Sequence, residues 1–272
     1  WNGLVGLKTS FGLLPLDGVL GLSTSMDTVG PLTHDVADAN ALLAILAGKY
    51  GAGNQPPPDL VNVEPKRMAL ALPRNLVWEQ LDASVEQVTN DALNVLRQAD
   101  IKIRDIEITE FDAVESLISH FGPYHTAECH SLWSKSIEEA PELVSAPILD
   151  RIRLGSTFSG SDIENTKNQL AKLSESLHKS IGEVGILVMP TVAIGAPPLS
   201  EVLESMDSYR KTNAITLRNT RLSNFLNCTA LTIPCGKDIN GIPVGLMLVG
   251  PPGSEGLLLS YGRVIEELFL AS

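Results

Sequence analysis

The amino-acid sequence predicts an α/β protein whose sheet is mixed, mostly parallel and covered by helices. Two observations carry that expectation. Residues 68–108 read strand, helix, strand: the run Met68-Ala69-Leu70-Ala71-Leu72, then a helical stripe of Val85, Val88, Ala92, Val95, Leu96 and Ala99, then Ile101, Ile103, Ile106 and Ile108 with polar residues between. A βαβ unit of this length favours two parallel strands with a helix across one face. Further on, three apolar runs of strand length close on proline or glycine, at residues 186–190, 230–236 and 244–252.

Taken in order, residues 3–31 are dense in glycine between short apolar pieces, which suits turns and close backbone approach. Thr33 is the expected N-cap of a helix that carries Asp35 and Asp38 in its first turns, with Val36, Ala39, Leu43 and Leu46 on one face and Gly48 as its stop. The stretch GAGNQPPP, residues 51–58, predicts a loop and a subregion border. Residues 111–180 are helical in character, broken near Pro123, Pro141 and Pro147 and at Gly155 and Gly160, so a helix-rich subregion is expected there. A last helix over 255–269 should turn Leu258, Tyr261, Val264, Ile265 and Leu268 to the core. No internal repeat or low-complexity tract is visible.

Composition narrows the function classes. With 272 residues, 44% of them hydrophobic, the chain is long enough for one large or two small cores and too apolar for a disordered segment. A formal charge of −12 argues against a sequence-independent nucleic-acid binder, which needs clustered Lys and Arg. The apolar runs at 186–189 and 244–249 are strand-length, far short of the roughly 20 residues of a membrane-spanning helix, so no membrane partner is expected. Cys129, Cys228 and Cys235 have neither metal nor redox spacing, and neither a disulfide framework nor a cofactor is implied. No signal-peptide pattern is present, and a cytoplasmic location is expected.

The opening segment carries the most specific signal. Gly3, Gly6, Leu7 and Lys8, then Gly12, then Ser25-Met26-Asp27-Thr28-Val29-Gly30-Pro31, then Asp38 and Gly48, resemble the amidase signature family just downstream of its catalytic serine. Val188-Met189-Pro190-Thr191 with Ala196-Pro197-Pro198 looks like a second segment of that family. Asn224 with residues 230–236 and 241–250 resembles its C-terminal block. The resemblance runs from end to end, with a looser fit over 150–173. Thr9 stands where the family usually has Pro, Asn227 and Thr229 where it often has Gly and Pro, and Met247 where Gln is frequent.

The resemblance implies an amide hydrolase with a Ser–cis-Ser–Lys triad. An amide carbonyl is a weak electrophile, so the serine must lose its proton as it attacks while N–H groups hold the oxyanion. A lysine kept neutral by its surroundings can take that proton through the second serine. None of the three triad positions is matched here, and there is no Gly-Gly-Ser. By motif alignment the nucleophile would fall about half a dozen residues before Trp1. The expectation is therefore that residues 1–272 form the C-terminal portion of one amidase-like domain, inactive and poorly soluble alone, with no catalytic residue of their own.

Lys8 matches a family position whose role looks structural. Asp27, after Ser25 in a glycine-rich turn, is either a support for the nucleophile loop or an ordinary Asx turn. Tyr124, His125 and Glu128 match a family helix beside the substrate cleft, and are either substrate contacts or structural. Arg218 and Asn224 are candidate polar contacts for a leaving group or carboxylate, with Asn224 equally readable as a turn former.

Competing chemistries are weaker. Ser176-x-x-Lys179 has a nucleophile-like spacing without companion motifs and fits a solvated helix face. Cys129 beside His125 and His130 fits core packing better than a thiol dyad, and His125, Glu128 and His130 lack a zinc-protease spacing. The expected partner is a small-molecule amide, a homodimer being compatible with the sequence. Two alternatives stay open: the A subunit of a glutamyl-tRNA amidotransferase, and a non-catalytic remnant or binding module.

Overall fold

The computed structural model describes residues 1–48 and 60–272, so the loop expected at 51–58 lies outside the described residues. In chain order the elements are β1 (Val5–Lys8), β2 (Leu32–Thr33), α1 (Val36–Leu46), β3 (Ala69–Pro73), α2 (Ala83–Gln98), β4 (Lys102–Ile106), α3 (Thr109–Phe121), α4 (His125–Glu139), α5 (Ala146–Leu154), α6 (Gly160–Val184), β5 (Ile186–Pro190), α7 (Leu199–Val202), α8 (Met206–Phe225), β6 (Thr229–Lys237), β7 (Pro243–Gly250) and α9 (Glu255–Ala271).

Among the described residues the strands form one mixed seven-stranded sheet, ordered β2-β1-β6-β7-β5-β3-β4. The expected βαβ unit is present: β3 and β4 pair in parallel, Ala69 opposite Lys102 through Pro73 opposite Ile106, and β3 also pairs in parallel with β5. The rest of the sheet departs from the expected parallel majority. The pairs β1–β2, β1–β6, β5–β7 and β6–β7 are all antiparallel. The physical reason lies in burial. Val188, Leu246 and Leu248 pack on one face of the sheet, while Leu187, Met189, Met247 and Val249 pack on the other. A strand covered on both faces is apolar throughout, whichever way its neighbour runs.

Helices α1, α2 and α9 cover one face, contributing Val36, Leu93, Leu96, Leu258 and Ile265 to its core. Helices α3, α6 and α8 cover the other with Phe111, Val114, Leu177, Ile181, Leu222 and Phe225. The first helix is capped differently from expectation. Asp35, not Thr33, is its N-cap: the short carboxylate accepts from the Asp38 N–H at 2.7 Å, while Thr33 belongs to β2 and donates its hydroxyl to the Asp35 carbonyl. Leu46, expected on the buried face, is exposed at the last turn. Gly48 does follow the helix with a positive φ of 66°.

The helix-rich subregion is α3 to α6. The last of these opens with a reciprocal capping box between Ser159 and Asp162. Helix α8 lies in a region with no helix predicted from sequence. Ser205 caps it, and Asn219 ties it to the sheet by donating to the carbonyls of Pro190 (2.9 Å) and Val77 (3.3 Å).

Candidate functional site

A cleft of about 860 Å³ opens between β1, the loop of residues 22–30, the start of α4, the end of α5 and one face of α8. A second cavity of about 550 Å³ adjoins it, and Lys8, Met26, Asn224 and Phe225 line both.

The loop is built by short-range acceptors. Asp27 Oδ2 accepts from the N–H groups of Leu22 (2.7 Å) and Ser23 (2.9 Å), closing the turn on itself. Glu128, buried on α4, then fastens the turn to the helix layer. One carboxylate oxygen accepts from the Ser23 hydroxyl and from the hydroxyl (2.9 Å) and N–H (3.3 Å) of Ser25. The other oxygen takes Lys167 of α6. Burial pulls the Glu128 pKa upward, but the hydrogen bonds from Lys167, Ser23 and Ser25 outweigh it and hold the carboxyl below its ordinary value. Tyr124 completes the cluster, its hydroxyl 3.0 Å from Ser25 Oγ and its ring 5.5 Å from Lys167 Nζ. Trp133 adds a further tie by donating to the Gly21 carbonyl at 2.6 Å.

Lys8, at the end of β1, donates to the carbonyls of Cys228 (2.8 Å) and Thr9 (3.1 Å). Burial lowers its pKa to about 8, against the favourable fields of Cys228 and Glu255. His125 opens α4 with its ring centroid 5.8 Å from that of Phe225. Burial, then the charges of Arg151 and Arg221, bring its pKa down to about 4, so the imidazole is neutral near pH 7.

Of the residues expected from sequence, Ser25, Tyr124 and Glu128 meet in one hydrogen-bonded cluster, and Lys8, Asp27, His125 and Asn224 line the large cleft. Asn224 sits within α8 rather than in a turn. Arg218 is not brought to the cleft. It is buried beside Asn219, whose amide oxygen accepts from its Nε at 3.1 Å. Sequence reasoning missed Ser23 and Lys167, and it missed Arg151, Arg210 and Arg221, which all line the cleft. Ser176 donates to Glu110 at 2.6 Å, and burial raises the Cys129 pKa. Among the described residues no group of three His, Cys, Asp or Glu side chains is placed to hold a metal, and no helix is long and apolar enough to cross a membrane.

Comparison with known proteins adds a lineage to this geometry. Residues 1–259 match the family model described as Amidase. The chain is 30% identical over 268 residues to the 2-amino-5-chloromuconic acid deaminase of Comamonas testosteroni, covering 98% of this chain and 56% of that protein. It is 27% identical over 292 residues to the A subunit of the glutamyl-tRNA(Gln) amidotransferase of Geobacter sp. (strain M21), covering 97% and 59%. A solved amidase structure superposes with a TM-score of 0.81 at 28% identity, over 97% of this chain and 58% of that one. The corresponding A subunit from Thermotoga maritima shares the fold, with a TM-score of 0.74 at 19% identity over 97% and 58%. The chain thus spans a little under three-fifths of the length of these relatives.

Proposed function

Because the chain belongs to the amidase family, we propose that the whole protein hydrolyses the C–N bond of a small amide through an acyl-enzyme, on a serine outside these 272 residues. One observation carries this: segments distant in sequence that bear the family resemblance converge on a single cleft. Gly6, Lys8, Asp27 and Gly30 come from the first segment, and Asn224, Thr232 and Met247 from the last. A serine supplied ahead of Gly3 in the family order would attack an amide lying in this cleft, and the present residues would shape the wall and hold the loop behind it. Lys8 is already engaged by two carbonyls, which fits support of the backbone rather than proton transfer.

The full-length protein, assayed for ammonia release on a panel of small amides, is expected to turn over at least one. The 272-residue chain alone is expected to release none. Ammonia release by the shorter chain would overturn the assignment of the serine, and failure of the full-length protein on every amide would overturn the hydrolase. The amidotransferase relatives supply a second possibility, in which glutamine is the amide and a partner protein takes the ammonia. Glutamine hydrolysis that rises on adding such partners would select it. Binding of amides without any turnover would select a non-catalytic module.

A further inference from the structure

The arginines of the cleft go beyond what amide chemistry requires. Arg210 is held by a two-pronged ion pair with Asp150 and is largely occupied by it. Arg221, on the same helix α8, is 18% exposed. It gives one terminal nitrogen to Glu115 at 2.8 Å, and among the described residues its other terminal nitrogen, which is not buried, has no hydrogen-bond partner. Arg151, on α5, also lines the cleft and, among the described residues, donates only to the Asn213 amide oxygen at 3.3 Å. Among the described residues it has no carboxylate within ion-pair distance. Both guanidinium groups lie close enough to His125 to disfavour its protonation, so their fields overlap at the mouth of α4.

Arg151 is left without an acid in a chain whose formal charge is −12, although Arg210 and Arg221 are each matched by one. The helix that carries Arg151 is also held in place. Gly155 follows α5, and a Cβ there would stand 2.1 Å from the Thr126 carbonyl, so the end of α5 rests directly on α4. We propose that Arg221 and Arg151 together select amides that carry a carboxylate, the substrate's anionic end completing the donors these side chains leave unmet. This rests on the amide-hydrolase assignment above. A monoanion suits the site better than a phosphate dianion, because Asp27 faces the same cleft and Asp150 and Glu115 already offset two of its cations.

Guanidinium groups pair with carboxylates through parallel N–H donors, which lysine cannot reproduce. The test is calorimetric binding to the full-length protein of succinamate against succinamide, which differ in one charged end, with ammonia release followed separately. Succinamate is expected to bind at least roughly tenfold tighter. Arg221→Met and Arg151→Met should each remove most of that preference while leaving succinamide binding within about twofold. Arg221→Lys retains charge toward Glu115, guarding against a folding defect, and should recover only part of the preference. Equal affinity for the two probes, or a preference that survives in both Met variants, would overturn the proposal. Because affinity and ammonia release are measured separately, loss of the carboxylate preference and absence of amide hydrolysis are separate results.

Discussion

Ser25 and Glu128, 103 residues apart, are joined twice: the Glu128 carboxylate accepts the Ser25 hydroxyl at 2.9 Å and the Ser25 N–H at 3.3 Å. The contact clips the loop of residues 22–30 onto a helix. It also places a buried carboxylate where the Ser23 and Ser25 hydroxyls and the Lys167 ammonium depend on it. Replacing Glu128 by Ala leaves the buried Ser23 hydroxyl and the Ser25 donors without that acceptor and frees Lys167 from its ion pair. The expected cost is about 2–3 kcal/mol of unfolding free energy, read from urea melts. Glu128→Gln should cost less near neutral pH. Since the folded pKa lies below the unfolded one, the stability supplied by the carboxylate is present above the unfolded value and is lost as pH falls through the folded value. The difference between wild type and Glu128→Gln should shrink in acid, and a constant difference down to about pH 3 would contradict the linkage.

Only part of this cluster was legible in the sequence. Ser25, Tyr124 and Glu128 sit in segments whose order and spacing carry a family resemblance. Lys167 lies in the first third of α6 among the polar residues Asn165, Asn168 and Gln169, where one lysine looks like any other solvated charge. Its partner is set by tertiary packing alone. The same limit applies to strand direction. Leu187, Val188, Met247 and Leu248 announce burial on both faces, yet both β5–β7 and β6–β7 are antiparallel. Helix α8 was hidden for a different reason. Its first half, Asp207-Ser208-Tyr209-Arg210-Lys211-Thr212-Asn213, is polar nearly all round, because one side faces the cleft instead of the core.

Asp27 provides a second test of how the loop is held. Its two accepted N–H bonds, from Leu22 and Ser23, lie within one turn. Asp27→Ala should lower stability by about 1–2 kcal/mol, and Asp27→Asn, which keeps an acceptor oxygen, by under about 1 kcal/mol. In the full-length protein Asp27→Ala should also raise KM for an amide more than it lowers kcat, since the loop lines the cleft. Identical melts for the Ala and Asn variants would show that the turn does not depend on that acceptor.

Gly30 tests the other end of the same segment. A Cβ at this position would stand 1.8 Å from the Leu7 carbonyl oxygen, a backbone atom that cannot rotate away. Leu7 in turn donates its N–H to the Pro31 carbonyl at 3.0 Å and pairs with Leu231 in the sheet. Gly30→Ala must therefore push β1 and the loop apart. A loss of about 3 kcal/mol, the upper end of ordinary overpacking, is expected in thermal or urea unfolding. A loss under about 0.5 kcal/mol would mean that β1 and the loop separate freely.

His125 makes the pH dependence of the whole cleft measurable. Its folded pKa of about 4 lies below the ordinary value of 6.5, first because it is buried and then because Arg151 and Arg221 are near. Between those two values the unfolded chain binds a proton that the folded chain refuses, so stability rises with pH across that window. The contribution is complete above about pH 6.5 and fades as pH falls toward 4, amounting to on the order of 3 kcal/mol if the full shift is expressed. His125→Gln removes the titrating group while keeping polar character. Urea midpoints measured at about pH 4.5 and about pH 7.5 should differ less for His125→Gln than for wild type. Arg151→Met should also narrow the wild-type difference, because one of the charges that disfavours the imidazolium is gone. If His125→Gln and wild type lose the same stability between those two pH values, the imidazole is not held neutral in the folded protein.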